Sequence, residues 1–231
     1  MTADPQRRRR NRKGLRSARR ALRGPRSRLA AFFAGVVSLR IPPAYRGLRW
    51  LSAAILVLLG VELVTGVLLS LYYYPAPGAA YQSVRHLNSV VPAGWLVRGL
   101  HSWAGDLLLA AVLGHLLVVF FRRAYRPPRE LQWVVGVLLV PAVLSFQFTG
   151  RLLPWDTVGD AATRLGLGLL ESVPVIGSWA ATWLRGGEDM GANTLSRFFT
   201  THVLILPWLV VLLIGVHIHL VRRHGLRGGD G

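Results

Sequence analysis

The sequence predicts an all-α membrane protein, a bundle of four membrane-crossing helices. Three observations carry that expectation. The 231 residues are 52% hydrophobic, yet the formal net charge is +18. Four apolar stretches, at about residues 47–73, 97–121, 131–149 and 198–221, come close to the roughly 20 residues that an α-helix needs to cross a bilayer core. The positive charge gathers at the two ends of the chain and in one link rather than along the apolar stretches. With no cysteine, the chain forms no disulfide and offers no thiolate to zinc or an iron–sulfur cluster.

The elements follow in order. Residues 1–38 read as a basic, disordered cytoplasmic tail, because 15 of the 28 Lys and Arg fall in residues 1–50 and like charges repel. Such a tail suits anionic lipid; without interleaved aromatics it does not read as a nucleic-acid arm. The apolar run that follows it is too long for a signal peptide. Residues 39–225 read as one four-helix domain and 226–231 as a short C-terminal tail. The link after the second span (RRAYRPPRE) and the end of the chain (RRHGLR) are basic, so the positive-inside rule puts both, with the tail, in the cytoplasm. Trp50, Trp95, Trp133, Trp155 and Tyr72–Tyr74 sit near predicted span ends, as interfacial aromatics do. The third span carries Pro141, which predicts a kink. The link between the third and fourth spans is too long for idle connection. It holds two short amphipathic patterns, TRLGLGLLESV and VIGSWAATWL, split by Pro174. They predict helices lying on the outer membrane surface, which would wall a pocket.

Four histidines then define a candidate site. His101 and His115 lie 14 residues apart in the second span, and His202 and His217 lie 15 apart in the fourth. In an α-helix these separations rise roughly 21 and 22 Å and return to within about 40° and 60° of the starting direction. Each pair therefore marks two depths on one helix face. The two spans run in the same direction, so His101 and His202 share the outer side, and His115 and His217 the inner side. Ionisable residues inside a membrane are expensive and usually functional, and imidazole is a common haem-iron ligand. The pattern points to two b-type haems stacked along the membrane normal, carrying electrons across it. His219 lies about 100° off the face of His202, His86 falls in the first link, and His224 lies past the fourth span.

A second regularity supports this. Ser52 and Gly66 on the first span, and Gly136 and Gly150 on the third, are also 14 apart. Small residues at both depths give a flat macrocycle clearance, although they also serve helix packing. Arg98, three residues before His101, is a candidate partner for a propionate of the outer haem, and Arg222 for one of the inner haem.

At this point the residues resemble a known family. YYYPAPGAAYQSVRHLNSVVPAGWLVRGLH, YRPPRELQWVVGVLL, FTGRLLPWDTVG, SVPVIGSWAATWLRGG and TLSRFFTTHVLILPWLV look like the amino-terminal half of the cytochrome b family. The resemblance covers about residues 40–225 and is closest to the split, b6-like form, whose fourth-helix spacing is 15. It implies that His101 with His202 holds the haem near the positive side, and His115 with His217 the haem near the negative side. It implies a quinol oxidoreductase complex that sends one electron to a Rieske iron–sulfur protein and the other across the two haems to a quinone. The loop LLPWD matches the stretch beside the quinol-oxidation pocket, which makes Leu153, Pro154, Trp155 and Asp156 pocket candidates. The rest of that pocket belongs to helices with a Pro-Glu-Trp-Tyr motif, which this chain lacks. A separate carboxy-terminal cytochrome b subunit, a Rieske protein and a c-type cytochrome are therefore implied partners, in a dimeric complex; the basic tail and the altered long link favour a bacterial cytoplasmic (inner) membrane and a respiratory role. The alternative is a dihaem membrane anchor of another quinone-linked dehydrogenase or hydrogenase.

Three departures from the family pattern stand out. Trp50 stands where the b6 form attaches an additional haem through Cys, so no covalent haem is expected. Glu62 stands where Gln is usual, and Asp106 where a small polar residue is usual, both near the outer haem. Asp160 and Ala161 replace aromatics of the long link.

Overall fold

The structure, a computed structural model, describes residues 46–224. The expected basic tail, 1–38, and the C-terminal tail, 226–231, lie outside the described residues. Those described form helices and connecting turns, with no strand among them.

The first span is α1, Arg46–Ser70. In hydrocarbon every backbone N–H and C=O must be paired within the segment, so an apolar run of this length has to be helical. Pro75 and Pro77 follow and cannot continue it. A short amphipathic helix, α2 (Ala80–Ser89), comes next and turns Ala80, Ser83 and Leu87 inward; no expectation had been placed on that link. The second span is α3, Gly94–Phe121. The third is α4, Glu130–Leu152, which opens on Glu130, an acid suited to a helix N-terminus, and runs on through Pro141. All three helices overlap the predicted stretches, with no end moved by more than three residues.

The long link folds as expected into two helices, α5 (Thr157–Glu171) and α6 (Gly177–Arg185). Asp156 caps α5 by accepting from the Gly159 N–H at 2.7 Å. An ion pair between Arg185 and Glu171 ties α6 back to α5. The fourth span is a rod of 33 residues, Ala192–His224. It comprises α7 (Ala192–Thr200), a π-helical turn (Thr201–Ile205) and α8 (Leu206–His224). The Leu206 N–H reaches the Thr201 carbonyl, five residues back. Pro207, without an N–H and with a ring that crowds the preceding turn, favours the wider coil.

Packing runs in two pairs. α1 lies on α3, α8 lies on α4, and the pairs join where α3 touches α4. α3 and the fourth span (the π turn with His202 and α8 with His217), which carry the four histidines, have no substantial backbone contact with each other. Outward faces of the spans are apolar and open: Trp103 is 72% exposed, Phe121 76% and Trp208 70%. Exposure of such side chains is what a lipid-facing bundle shows. The tightest packing lies off the bundle, where Leu152, Leu167, Ala181 and Phe198 are wholly or almost wholly buried. There α5 and α6 close over the junction of α4 with the fourth span, and Phe148 meets Phe198 edge-on at 5.3 Å.

Candidate functional site

The four histidines come together in two pairs. The rings of His101 and His202 have centroids 6.2 Å apart, with planes crossed at 71°. Those of His115 and His217 are 6.5 Å apart and crossed at 70°. A bond of roughly 2 Å from metal to imidazole nitrogen, with about 1 Å more to each ring centre, puts two opposed rings about 6 Å apart around one metal ion. Both pairs meet that separation although their parent helices stand apart. The gap and the spacing fit a haem iron clamped between two imidazoles at each depth.

The small residues line up with the rings one for one. A Cβ on Gly66 would stand 3.4 Å from Cε1 of His101, and on Gly136 3.3 Å from Cε1 of His217. On Gly150 it would stand 2.9 Å from Cε1 of His202. Ser52 Oγ lies 3.4 Å from Nδ1 of His115. Clearance at these positions thus serves the imidazoles themselves: α1 seats both rings of α3, and α4 seats both rings of the fourth span.

At the outer level, hydrogen bonds choose the nitrogen that faces a metal. Thr65 Oγ donates to the Val61 carbonyl at 2.6 Å, so the oxygen accepts from Nδ1 of His101 at 2.9 Å. Thr149 repeats the arrangement: Oγ donates to the Ser145 carbonyl at 2.7 Å and accepts from Nδ1 of His202 at 2.9 Å. With the proton held on Nδ1, the Nε2 lone pair is free for iron. The Glu62 carboxylate stands beside the same nitrogen, with Oε2 3.0 Å from Nδ1 of His101. At the inner level Ser52, which donates to the Leu48 carbonyl at 2.8 Å, is a more distant partner for His115. No side chain meets Nδ1 of His217.

A cavity of about 550 Å³ opens beside the outer pair, with His101, His202, Gly66, Gly150 and Arg98 in its walls. Leu153, Pro154 and Asp156 border it too, whereas Trp155 packs toward the buried cluster around Leu152 and Phe198. Trp155 sits in the left-handed region at φ 53°, which costs roughly 1–2 kcal/mol for a residue other than glycine. Its N–H bonds to the Leu152 carbonyl at 2.8 Å. Tyr73 crosses from the first link, stacks on Phe199 at 5.4 Å and donates its hydroxyl to the Leu153 carbonyl at 2.6 Å. Burial pushes the Tyr73 phenol above its usual range, which keeps it a donor. Asp106 pairs with Arg151 at 3.6 Å, and Asp160 with Arg164 at 2.8 Å along α5. Arg222 stands in the last turn of α8. Trp50 is 71% exposed near the start of α1.

Residues 106–230 match the family described as cytochrome b(N-terminal)/b6/petB. The chain belongs to the cytochrome b amino-terminal family. Over 193 residues it is 36% identical to cytochrome b6 of Prochlorococcus marinus (strain MIT 9303), covering 84% of this chain and 88% of that one. It is 34% identical over 188 residues to cytochrome b6 of Acaryochloris marina (strain MBIC 11017), covering 81% and 87%. Among solved structures it matches a chain of a hyperthermophilic respiratory Complex III with a TM-score of 0.72 and 29% identity. That match takes in 84% of this chain and 50% of the other, so the chain spans about half the length of its solved relative. Membership of the cytochrome b family brings with it haem binding, a multi-pass membrane setting and an oxidoreductase role in electron transport.

Sequence reasoning missed Thr65, Thr149 and Tyr73. The two threonines had a signal: each directly precedes a glycine of the 14-residue pattern, as Thr65–Gly66 and Thr149–Gly150.

Proposed function

We propose that the chain is the dihaem cytochrome b subunit of a quinol:cytochrome c oxidoreductase of bc/b6f type. It carries electrons across the membrane between a quinol-oxidation and a quinone-reduction site. The observation that carries this reading is the pair of crossed imidazoles at each of two depths, every ring backed by a small residue of a neighbouring helix.

His101 and His202 would hold the outer haem, and His115 and His217 the inner one, both non-covalently. Bound haem supplies a fixed one-electron carrier. The chain's own residues do the rest. Thr65 and Thr149 hold the proton on Nδ1 and aim Nε2 across the gap. Gly66, Gly136, Gly150 and Ser52 let the rings approach the neighbouring helix. Arg98 and Arg222 are the residues proposed to meet propionates. Leu153, Pro154 and Asp156 supply one wall of a quinol pocket, and Trp155 anchors that wall.

The chain is not a complete catalyst by itself in this reading. A separate carboxy-terminal cytochrome b subunit, a Rieske protein and a c-type cytochrome complete a dimeric complex in a bacterial inner membrane, with both termini cytoplasmic. The domain division is 1–38, 39–225 and 226–231, as read from the sequence. Pyridine haemochrome analysis of the purified protein tests the core of it. Two b haems per chain are expected, falling to one in His115→Leu with the outer low-spin spectrum retained. A chain without haem, or a His115→Leu variant that keeps both, overturns the proposal.

A further inference from the structure

Glu62 is an acid inside an apolar span, where ionisable groups are rare and face something specific. It lies four residues before Gly66 and three before Thr65, so all three share one face of α1. That face meets His101. The side chain is only 17% exposed, and Oε2 stands 3.0 Å from Nδ1 of the histidine. Gly105 on α3 borders the same spot: a Cβ there would crowd Nε2 of Gln147 at 3.0 Å and touch Glu62 Oε1 at 3.7 Å, an ordinary contact. The other three histidines have no such partner. His202 has Thr149 and the Phe146 backbone, His115 has Ser52 at 3.4 Å, and His217 has the Gln132 backbone but no side chain at Nδ1; none of them has an acid.

We infer that Glu62 is a positioning residue for the outer haem: by holding a carboxylate 3.0 Å from Nδ1 of His101, it makes the iron held by that ring harder to reduce. The inference rests on the haem ligation proposed above. An acceptor on Nδ1–H raises the basicity of the coordinating nitrogen. A more basic ligand favours the higher oxidation state of the iron. Thr65 takes the hydrogen bond from Nδ1 and Glu62 adds a carboxylate beside the same nitrogen, a polarisation that His101 alone of the four rings receives from an acid. The effect is local, because the inner pair lies about 20 Å away along the helices.

Redox titration of the purified complex, haem by haem, tests this with Glu62→Leu and Glu62→Gln. Leucine suits the apolar span and removes both the charge and the oxygens; glutamine keeps a carbonyl dipole without the charge. Glu62→Leu is expected to retain two haems per chain and to raise the outer midpoint potential with the inner one unmoved. Glu62→Gln is expected to fall between the parent and the leucine variant. An outer midpoint unchanged in Glu62→Leu, equal shifts of both haems, or a glutamine variant displaced as far as leucine overturns the inference. Absence of a bis-histidine spectrum in the parent protein would instead overturn the haem ligation itself.

Discussion

Gly150 lies so close to His202 that a methyl group on its α-carbon would stand 2.9 Å from the ring's Cε1. The equivalent distance from Gly66 to His101 is 3.4 Å, an ordinary contact. The two seats of the outer site therefore differ in tolerance. Gly150→Ala forces the ring to move and is expected to cost about 1–3 kcal/mol of stability in the loaded protein. Gly66→Ala is expected to be the milder change. Haem content after purification and the thermal loss of the outer absorption band rank the two variants.

Thr149 is the one side chain holding Nδ1 of His202. Thr149→Val keeps the shape and deletes the acceptor, leaving a buried N–H without that partner. Such a loss costs about 1–3 kcal/mol. The expected result is weaker retention of the outer haem with the inner haem unaffected, read from the haem-to-protein ratio during gradual heating.

Tyr73 fastens the first link to the loop at Leu153. Tyr73→Phe removes the bond to the Leu153 carbonyl and keeps the stack on Phe199. A loss of about 0.5–1.5 kcal/mol in stability is expected. If this loop walls the quinol pocket, the KM for quinol of the assembled complex rises while both haem spectra stay unchanged.

The π-helical turn at Thr201–Ile205 contains His202 and takes up one extra residue. Deleting Leu204 should turn this stretch into plain α-helix and set the histidines 14 apart, the spacing of the second span. Two haems per chain are expected to survive the deletion. An insertion of one residue at the same place is expected to lose one of them. Haemochrome titration counts both.

Much of the site was legible because helix geometry alone links spacing to facing. Fourteen residues bring a side chain back to nearly the same direction, so His101 with His115, and Gly136 with Gly150, announced themselves. The 15-residue interval of the fourth span looked looser, about 60° out of phase in a regular helix. The structure removes that mismatch through the π turn, whose cause, Pro207, was in view but unread. Thr65, Thr149 and Tyr73 were harder to find. A threonine in an apolar helix ordinarily bonds back to its own turn, and only the approach of a ring from another helix gives it a second role. The helix α2 escaped notice because ten residues carry too little periodicity to separate from loop.

The seating of each imidazole on a neighbouring helix has a consequence for biogenesis. α1 and α3 together make one finished wall, and that wall leaves the ribosome first. The facing wall needs α4 and also the last helix of the domain, where His202 and His217 reside. In the ligation proposed above, the outer porphyrin lacks its second axial nitrogen until translation has passed residue 202 and the inner one until it has passed residue 217, so cofactor capture is a late checkpoint that a chain truncated before the fourth span cannot pass.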